Sequence, residues 1–223
     1  MKNTAHPGAP EARRPRGRPR AFDREVALDA AMQVFWRKGF EAASIADLTA
    51  AMGINPPSLY AAFGDKEELF RAALDRYIQR AESCPYADEP TARGAIERLL
   101  TFLATDLTES GHPRGCLMMM AAATASNASS KLQKMLSEKR AESREHLKAR
   151  IKQGMREGDV PPGTDAGALA DFYSAIITGL SQQARDGSAR RSLLATVERS
   201  MLLFPAPPKD AAKKRKRREA ETA

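Results

Sequence analysis

The chain has 223 residues, of which 42% are hydrophobic and 29% charged, and its formal net charge is +8. No apolar run approaches the roughly 20 residues that a membrane-spanning helix needs, and no apolar stretch follows the charged N-terminus as in a signal peptide. The two cysteines, Cys84 and Cys116, are far apart in the chain, which argues against a disulfide scaffold and a zinc site. The composition therefore predicts a soluble, cytoplasmic protein.

The positive charge is concentrated at the two ends of the chain. Residues 1–20 carry a net +5 and residues 209–223 a net +4, which leaves residues 21–208 at −1. Both ends lack helical periodicity, so we expect a disordered basic arm and a disordered basic tail. Basic segments bind nucleic acid by releasing counterions, although for the tail a role in solubility alone is an open alternative.

The arm ends in the run RRPRGRPR, directly before the first predicted helix. Arginines at such a position can enter a DNA minor groove, whose negative potential attracts them. Arg18 and Arg20 are therefore predicted to contact DNA, with a passive arm as the alternative. The first helix is predicted to begin after an N-cap at Asp23 and to end at Lys38, because Gly39 interrupts it.

The next stretch, SIADLTAAMGINPPSLYAAF at residues 44–63, predicts two short helices joined by a tight turn. Ser44 with Asp47 resembles a capping box, and Gly53 suits the left-handed residue that follows a helix. Asn55 suits an N-cap, and Pro56 suits the first position of the second helix.

The second of these helices has one buried and one exposed face. Leu59 and Phe63 are predicted to enter the core, which turns Ser58, Tyr60 and Ala61 outward. Two helices, a glycine turn and an exposed polar second helix are typical of a helix-turn-helix. From this stretch alone, an ordinary pair of packed helices remains an equal alternative.

Residues 22–77 resemble the DNA-binding headpiece of the tetracycline-repressor (TetR) family of one-component transcriptional regulators. The matching segments are AAMQVFWRKGFEAASI, the glycine turn, and SLYAAFGDKEELF. The last segment supplies the family's aromatic and Lys-Glu-Glu-Leu pattern through Tyr60, Phe63, Lys66, Glu67, Glu68 and Leu69. The resemblance covers about the first third of the chain and implies a helical ligand-binding and dimerisation domain after the headpiece.

The rest of the chain has helical periodicity and no segment that alternates as a strand does. A fourth helix is predicted from Asp65 to near Ser83, and later helices near 90–109, 113–126, 128–157, 165–185 and 189–204. The predicted fold is all-α with about nine helices. It comprises a helix-turn-helix domain with its linker helix at 21–83 and a ligand-binding and dimerisation domain at 84–208.

The helix after Asn55 carries no charged side chain, so no arginine from this helix can bind guanine in the major groove. Base contacts are predicted from Asn55, Pro56, Pro57, Ser58 and Tyr60, with DNA shape supplying part of the specificity. The resemblance implies phosphate contacts by Lys66 and by the Tyr60 hydroxyl. The helix start at Ser44 suits a further phosphate.

A sensor pocket is implied only by the resemblance. Its predicted lining is Phe102, Cys116, Met118, Met119, Phe172 and Tyr173. Cys116 stands near a predicted helix start, beside Arg114 and His112, where a thiol pKa is lowered and the thiolate can react. The alternative is a small buried thiol that only packs the turn. The methionine run is interpreted as adaptable apolar packing and not as a metal site, because three consecutive helical residues point in three directions.

The function predicted from these patterns is that of a dimeric, sequence-specific transcriptional regulator, a repressor released from a palindromic operator. Release is predicted to follow small-molecule binding or thiol modification, and dimerisation to use the last two helices. The alternative is an architectural DNA binder that uses its basic ends. No triad, phosphate loop or metal-ligand spacing is present, so neither an enzyme nor a cofactor is expected.

Overall fold

The protein is described here by a computed structural model that covers residues 22–81, 84–124 and 130–207. Arg18, Arg20 and the tail at 209–223 lie outside the described residues. Within these ranges the chain forms nine α-helices and one short 3-10 helix and contains no strand, which confirms the all-α prediction. The helices are α1 (Arg24–Ala42), α2 (Ile45–Met52), α3 (Pro56–Phe63), α4 (Lys66–Ala81), α5 (Ala92–Asp106), α6 (Leu117–Thr124), α7 (Ser130–Glu157), α8 (Ala166–Arg185) and α9 (Arg190–Met201).

Helices α1 to α4 form a headpiece around an aromatic core. Phe35 of α1 meets Phe70 of α4 edge to face, with ring centroids 5.1 Å apart, and both side chains are fully buried. On the surface, the Arg76 guanidinium donates two 2.8 Å hydrogen bonds to the Asp29 carboxylate. A forked contact of this kind fixes orientation as well as distance, so α4 is held firmly along α1.

The headpiece core continues into the second half of the chain. Leu117 and Ala121 of α6 and Leu132 and Leu136 of α7 are buried in the same cluster as α1 to α4. The predicted division at residues 83 and 84 stays a prediction, but the apolar packing crosses it. The reason is that α1 is apolar on two faces, one covered by α4 and the other by α6.

A second core is formed by α5, the C-terminal half of α7, α8 and α9. Tyr173 of α8 is fully buried there and donates a 3.2 Å hydrogen bond to the Ser200 carbonyl of α9. Gly154 allows α7 to approach α5 closely, because a Cβ at this position would lie 2.6 Å from that of Ala92. Cys116 packs against both cores and marks the place where they meet.

The described helices include none with the length and apolar character required to cross a membrane.

Candidate nucleic-acid interface

Helix α2 begins with the predicted capping box. The Ser44 hydroxyl accepts a 3.0 Å hydrogen bond from the Asp47 N–H, and the Asp47 carboxylate accepts a 3.1 Å bond from the Ser44 N–H. Lys38 lies 2.7 Å from the same carboxylate. The hydrogen bonds from Lys38 and then Ser44 lower the pKa of Asp47 from 3.8 to about 2, so the cap is charged at neutral pH.

The turn between α2 and α3 has the geometry that its residues predict. Gly53 adopts a left-handed conformation with φ 65° and ends α2, a conformation that costs an L-residue energy. The Asn55 side chain then accepts a 2.9 Å hydrogen bond from the Ser58 N–H, with Pro56 at the first position of α3. Both helix ends are therefore set by local sequence.

Helix α3 presents an uncharged face to solvent. Asn55, Pro56, Pro57 and Ala61 are exposed, Ser58 is half-buried, and the Tyr60 side chain is 49% exposed. Leu59 and Phe63 point the other way into the headpiece core. The residues predicted to read bases are thus all at least partly accessible to solvent.

The two predicted phosphate contacts at helix starts already have protein partners. The Lys66 ammonium donates a 3.2 Å hydrogen bond to the Glu41 carbonyl and lies 4.6 Å from the centre of the Phe40 ring. Desolvation by its surroundings lowers the pKa of Lys66. The Ser44 hydroxyl donates to Asp47 at 2.7 Å. A phosphate would therefore compete with these partners or join them.

The sequence patterns did not identify one basic residue that lies near α3. Arg24, the first residue of α1, holds its guanidinium 4.7 Å from the centre of the Phe63 ring at the end of α3. This contact joins residues 39 positions apart, so neither helical periodicity nor a local motif indicates it. It places a positive charge beside the exposed helix, which itself has none.

The structure does not bring the six predicted pocket residues together. Cys116 and Met119 line a cavity of about 250 Å³ between the start of α6 and the C-terminal half of α8. Phe102 lines a separate groove of about 530 Å³ along α5. Met118 packs against the headpiece core, whereas Phe172 and Tyr173 pack edge to face with each other at 5.0 Å in the second core. Sequence spacing cannot tell which face of a helix meets which neighbour.

The smaller cavity is lined by both apolar and polar side chains. Its lining is Arg114, Cys116, Met119, Met120, Thr178, Ser181, Gln182 and Arg185. Arg114 is fixed by a 2.8 Å hydrogen bond from its Nε to the Ala184 carbonyl at the end of α8. Among the described residues, no group of three or more His, Cys, Asp or Glu could hold a metal ion.

The environment of Cys116 differs from the expected one. Burial raises the pKa of the Cys116 thiol and outweighs the Tyr77 hydroxyl and the N–H groups of Met119 and Met118, which lower it. The N–H of Cys116 itself donates a 2.9 Å hydrogen bond to the Ser181 hydroxyl. The N–H groups at the start of α6 lower the pKa of the thiol by less than burial raises it. Cys116 is therefore a protonated thiol at neutral pH.

Two family models match the chain. Residues 27–73 match the model described as bacterial regulatory proteins, tetR family, and residues 95–196 match the tetracyclin repressor-like C-terminal domain. These ranges contain α2 and α3 and most of α5 to α9 respectively.

Individual relatives agree with these models. The transcriptional repressor ComR of Escherichia coli K12 is 38% identical over 194 residues, which is 85% of this chain and 92% of ComR. A cysteine-substituted variant of the TetR-family regulator CifR, solved with 26-bp double-strand operator DNA, is 44% identical. It has a TM-score of 0.81, and the match covers 85% of this chain and 100% of that chain. A regulator from Rhodococcus sp. RHA1 is 39% identical, with a TM-score of 0.55 over 82% of this chain and 99% of its own. The headpiece, the helical core behind it and these relatives place the chain in the TetR family of bacterial regulatory proteins.

Proposed function

We propose that the protein is a cytoplasmic, homodimeric transcriptional repressor that binds a palindromic operator and is released from it by a small molecule. The observation that carries this proposal is the uncharged, exposed face of α3 on a capped helix-turn-helix. Support comes from the similarity to CifR, which was solved in complex with operator DNA, and to the repressor ComR.

DNA binding is proposed to use three kinds of contact, to the major groove, to the phosphates and to the minor groove. Asn55, Ser58, Pro56, Pro57 and Tyr60 face the major groove, where hydroxyl and apolar groups discriminate bases weakly. Lys66, Ser44 and the Tyr60 hydroxyl bind phosphates, with Arg24 as an additional candidate. Arg18 and Arg20 supply minor-groove contacts. Because α3 offers no charged base contact, we expect DNA shape to contribute to specificity.

Dimerisation is proposed through α8 and α9. One face of α8 carries three half-buried residues, Phe172, Ile176 and Gly179, next to the exposed Ala175. Residues on the opposite face, such as Tyr173, are buried. Leu202 and Leu203 are exposed at the end of α9, at 72% and 66%. Partly exposed apolar side chains of this kind suit contact with a second copy of the chain, and two headpieces are needed to read a palindrome.

The small molecule is proposed to enter the cavity beside Cys116. The two methionines in its lining, Met119 and Met120, suit an adaptable apolar contact, and α6 packs against α1 of the headpiece. Thiol modification is the second route to release. The raised pKa of Cys116 disfavours this route, because the thiolate is the reactive form.

Operator binding is tested by fluorescence anisotropy on DNA from upstream of the gene, compared with scrambled DNA of equal length. A repressor should prefer the upstream site by at least about a thousandfold, whereas an architectural binder would bind both alike. Tyr60→Ala should abolish most of this preference. Lys66→Met should instead weaken binding to both DNAs and reduce the salt dependence by about one counterion per headpiece.

The release mechanism is tested with Cys116→Ser under reductant and under a mild thiol oxidant. We expect the wild type and the variant to bind operator alike in both conditions. If only the wild type dissociates on oxidation, the thiol route is correct and the small-molecule route is not needed.

A further inference from the structure

The described residues that line the cavity beside Cys116 include two arginines and no carboxylate. Arg114 precedes Cys116 by two residues, and Arg185 is the last residue of α8. Within the part of the chain that the structure describes, the Arg185 guanidinium has neither a hydrogen bond nor an ion pair. The next residue, Asp186, instead accepts a 2.9 Å hydrogen bond from the Gln182 side chain. The cavity therefore carries positive charge that its own lining does not neutralise.

The two arginines do not contribute equally to this charge. Arg114 donates a 2.8 Å hydrogen bond from Nε to the Ala184 carbonyl and another from Nη2 to the Ser188 carbonyl. The C-terminal end of a helix such as α8 carries a partial negative charge. Part of the charge of Arg114 is thereby offset, whereas that of Arg185 is not. A ligand with a single negative charge would therefore complete the electrostatics of the cavity.

The remaining lining supplies apolar surface and limits the size of a ligand. Met119 and Met120 of α6 and the thiol of Cys116 line the same cavity, and methionine side chains adapt to the shape of their partner. The volume of about 250 Å³ corresponds to about eight water molecules at roughly 30 Å³ each, or to a ligand of about eight to ten non-hydrogen atoms. The cavity thus suits a small molecule with one charged end and one apolar end.

The cavity wall that contains Arg114 and Cys116 is also attached to the headpiece. Gly115, which lies between them in the chain, accepts a 2.9 Å hydrogen bond from the Trp36 N–H of α1. Gly115 is packed so closely on α8 that a Cβ at this position would lie 3.1 Å from the Ser181 carbonyl oxygen. The Cys116 N–H donates a 2.9 Å hydrogen bond to the Ser181 hydroxyl. A ligand that moves this wall relative to α8 would therefore act directly on α1.

We propose that the cavity beside Cys116 binds a small amphipathic carboxylate. The carboxylate pairs with Arg185 and with the remaining N–H groups of Arg114, and the apolar part lies against the two methionines. A guanidinium binds a carboxylate in a defined orientation, often through two N–H donors. Binding between α6 and α8 shifts the wall that is attached to Trp36. The proposal names the ligand class for the proposed release, and it rests on the repressor function only in its last step, the loss of operator affinity.

The ligand class is tested by isothermal titration calorimetry on the full-length wild type without DNA. The probes are acetate, hexanoate, octanoate and dodecanoate, with 1-hexanol as the uncharged analogue of hexanoate. We expect affinity to rise from acetate to octanoate and not to rise further for dodecanoate, and 1-hexanol to bind at least about tenfold more weakly than hexanoate. Absence of binding by all four acids, a continued rise to dodecanoate, or equal binding of the alcohol would overturn the proposal.

Single variants test whether the acids bind in this cavity. Arg185→Gln removes the charge that has no partner and should weaken octanoate binding by at least about tenfold. Met119→Ala should reduce the gain in affinity between acetate and octanoate. The matched control is Arg156→Gln, at an exposed position of α7 outside the cavity lining. Equal octanoate affinities of Arg185→Gln and Arg156→Gln would show that the acids bind elsewhere.

The link to the headpiece has a readout of its own. Trp36 is the single tryptophan of the chain, so intrinsic fluorescence reports on its surroundings, including the contact with Gly115. Octanoate should change this emission in the wild type and in Arg156→Gln, with the midpoint found by calorimetry. An emission that stays constant at saturating octanoate would reject the link between the cavity and α1.

Operator anisotropy with and without octanoate completes the test. The ratio of the two operator Kd values should be about 5 to 150 for the wild type and close to one for Arg185→Gln. If the acids bind in the cavity but the wild type does not prefer its operator to scrambled DNA, the repressor function is rejected and the ligand class stands. If the wild type prefers its operator and octanoate leaves that affinity unchanged, release by a carboxylate is rejected and the repressor function stands.

Discussion

At the scale of single residues, side chains in the headpiece serve two structures at once. Asp47 caps α2 through Ser44 and pairs with Lys38 of α1, so one carboxylate holds a helix start and an interhelical contact. Trp36 packs its ring in the core, and its N–H donates a hydrogen bond to the Gly115 carbonyl in the junction loop, the segment at residues 107–116 between α5 and α6. Such residues are poorly replaceable, because a substitution that suits one contact loses the other.

The lowered pKa of Asp47 predicts a pH dependence of stability. A carboxyl whose folded pKa lies at about 2, below its ordinary value of 3.8, stabilises the fold above that ordinary value. The contribution is lost as pH falls toward 2. Urea unfolding should therefore show the wild type to be more stable than Asp47→Asn at pH 5, with the difference vanishing near pH 2. Asp75→Asn, at an exposed position of α4, is the control, and an equal pH dependence in both variants would contradict the assignment.

The hydrogen bond from the Trp36 N–H to the Gly115 carbonyl leads to a second prediction at this scale. Trp36→Phe keeps an aromatic ring in the core but leaves the buried Gly115 carbonyl without its donor, which costs about 1–3 kcal/mol. We expect the free energy of unfolding to fall by that amount in urea titrations. Tyr60→Phe, which removes a hydroxyl from a half-exposed ring, should change it by less than about 0.5 kcal/mol. Equal effects of the two substitutions would show that the hydrogen bond to the junction loop contributes nothing.

At the scale of elements, the α2–turn–α3 unit is determined locally. Each helix has its own N-cap, and Gly53 reverses the chain with a positive φ. Helices of eight residues are too short to be stable alone, so the caps set their ends while Leu48, Leu59 and Phe63 hold them on the core.

Gly53 provides the test at this scale. No described atom lies within 4 Å of a Cβ built at this position, so the penalty for a side chain comes from the backbone alone. Gly53→Ala should destabilise the protein by about 1 kcal/mol, measured by urea unfolding. Gly53→Asn should cost less, because asparagine tolerates the left-handed region. Equal costs for the two substitutions would mean that the turn changes conformation on mutation.

At the scale of the whole molecule, two apolar cores meet at the junction loop. Cys116 contributes to both cores, and α6 packs on the headpiece although it follows α5 in the chain. A movement at the cavity beside Cys116 can therefore reach α1 through side chains in direct contact. Among the described residues, α8 and the end of α9 leave apolar side chains partly or largely exposed, such as Ile176, Leu202 and Leu203.

A substitution on this surface tests the proposed dimer. Ile176→Glu would place a carboxylate in the proposed interface without a partner, which costs several kcal/mol. We expect a monomer in sedimentation velocity and a loss of operator affinity of more than about a hundredfold. The control is Ala141→Glu on an exposed position of α7. A dimeric Ile176→Glu variant that still binds operator would place the interface elsewhere.

The sequence by itself determined the all-α class, the caps of α2 and α3, the glycine turn and the outward face of α3. These features depend on contacts within four residues, which helical periodicity and capping chemistry express directly. Only the tertiary structure decided which side chains line a cavity, that Cys116 is a protonated thiol and that Arg24 stands beside Phe63. Those properties depend on burial and on partners many positions away, and no local pattern contains them.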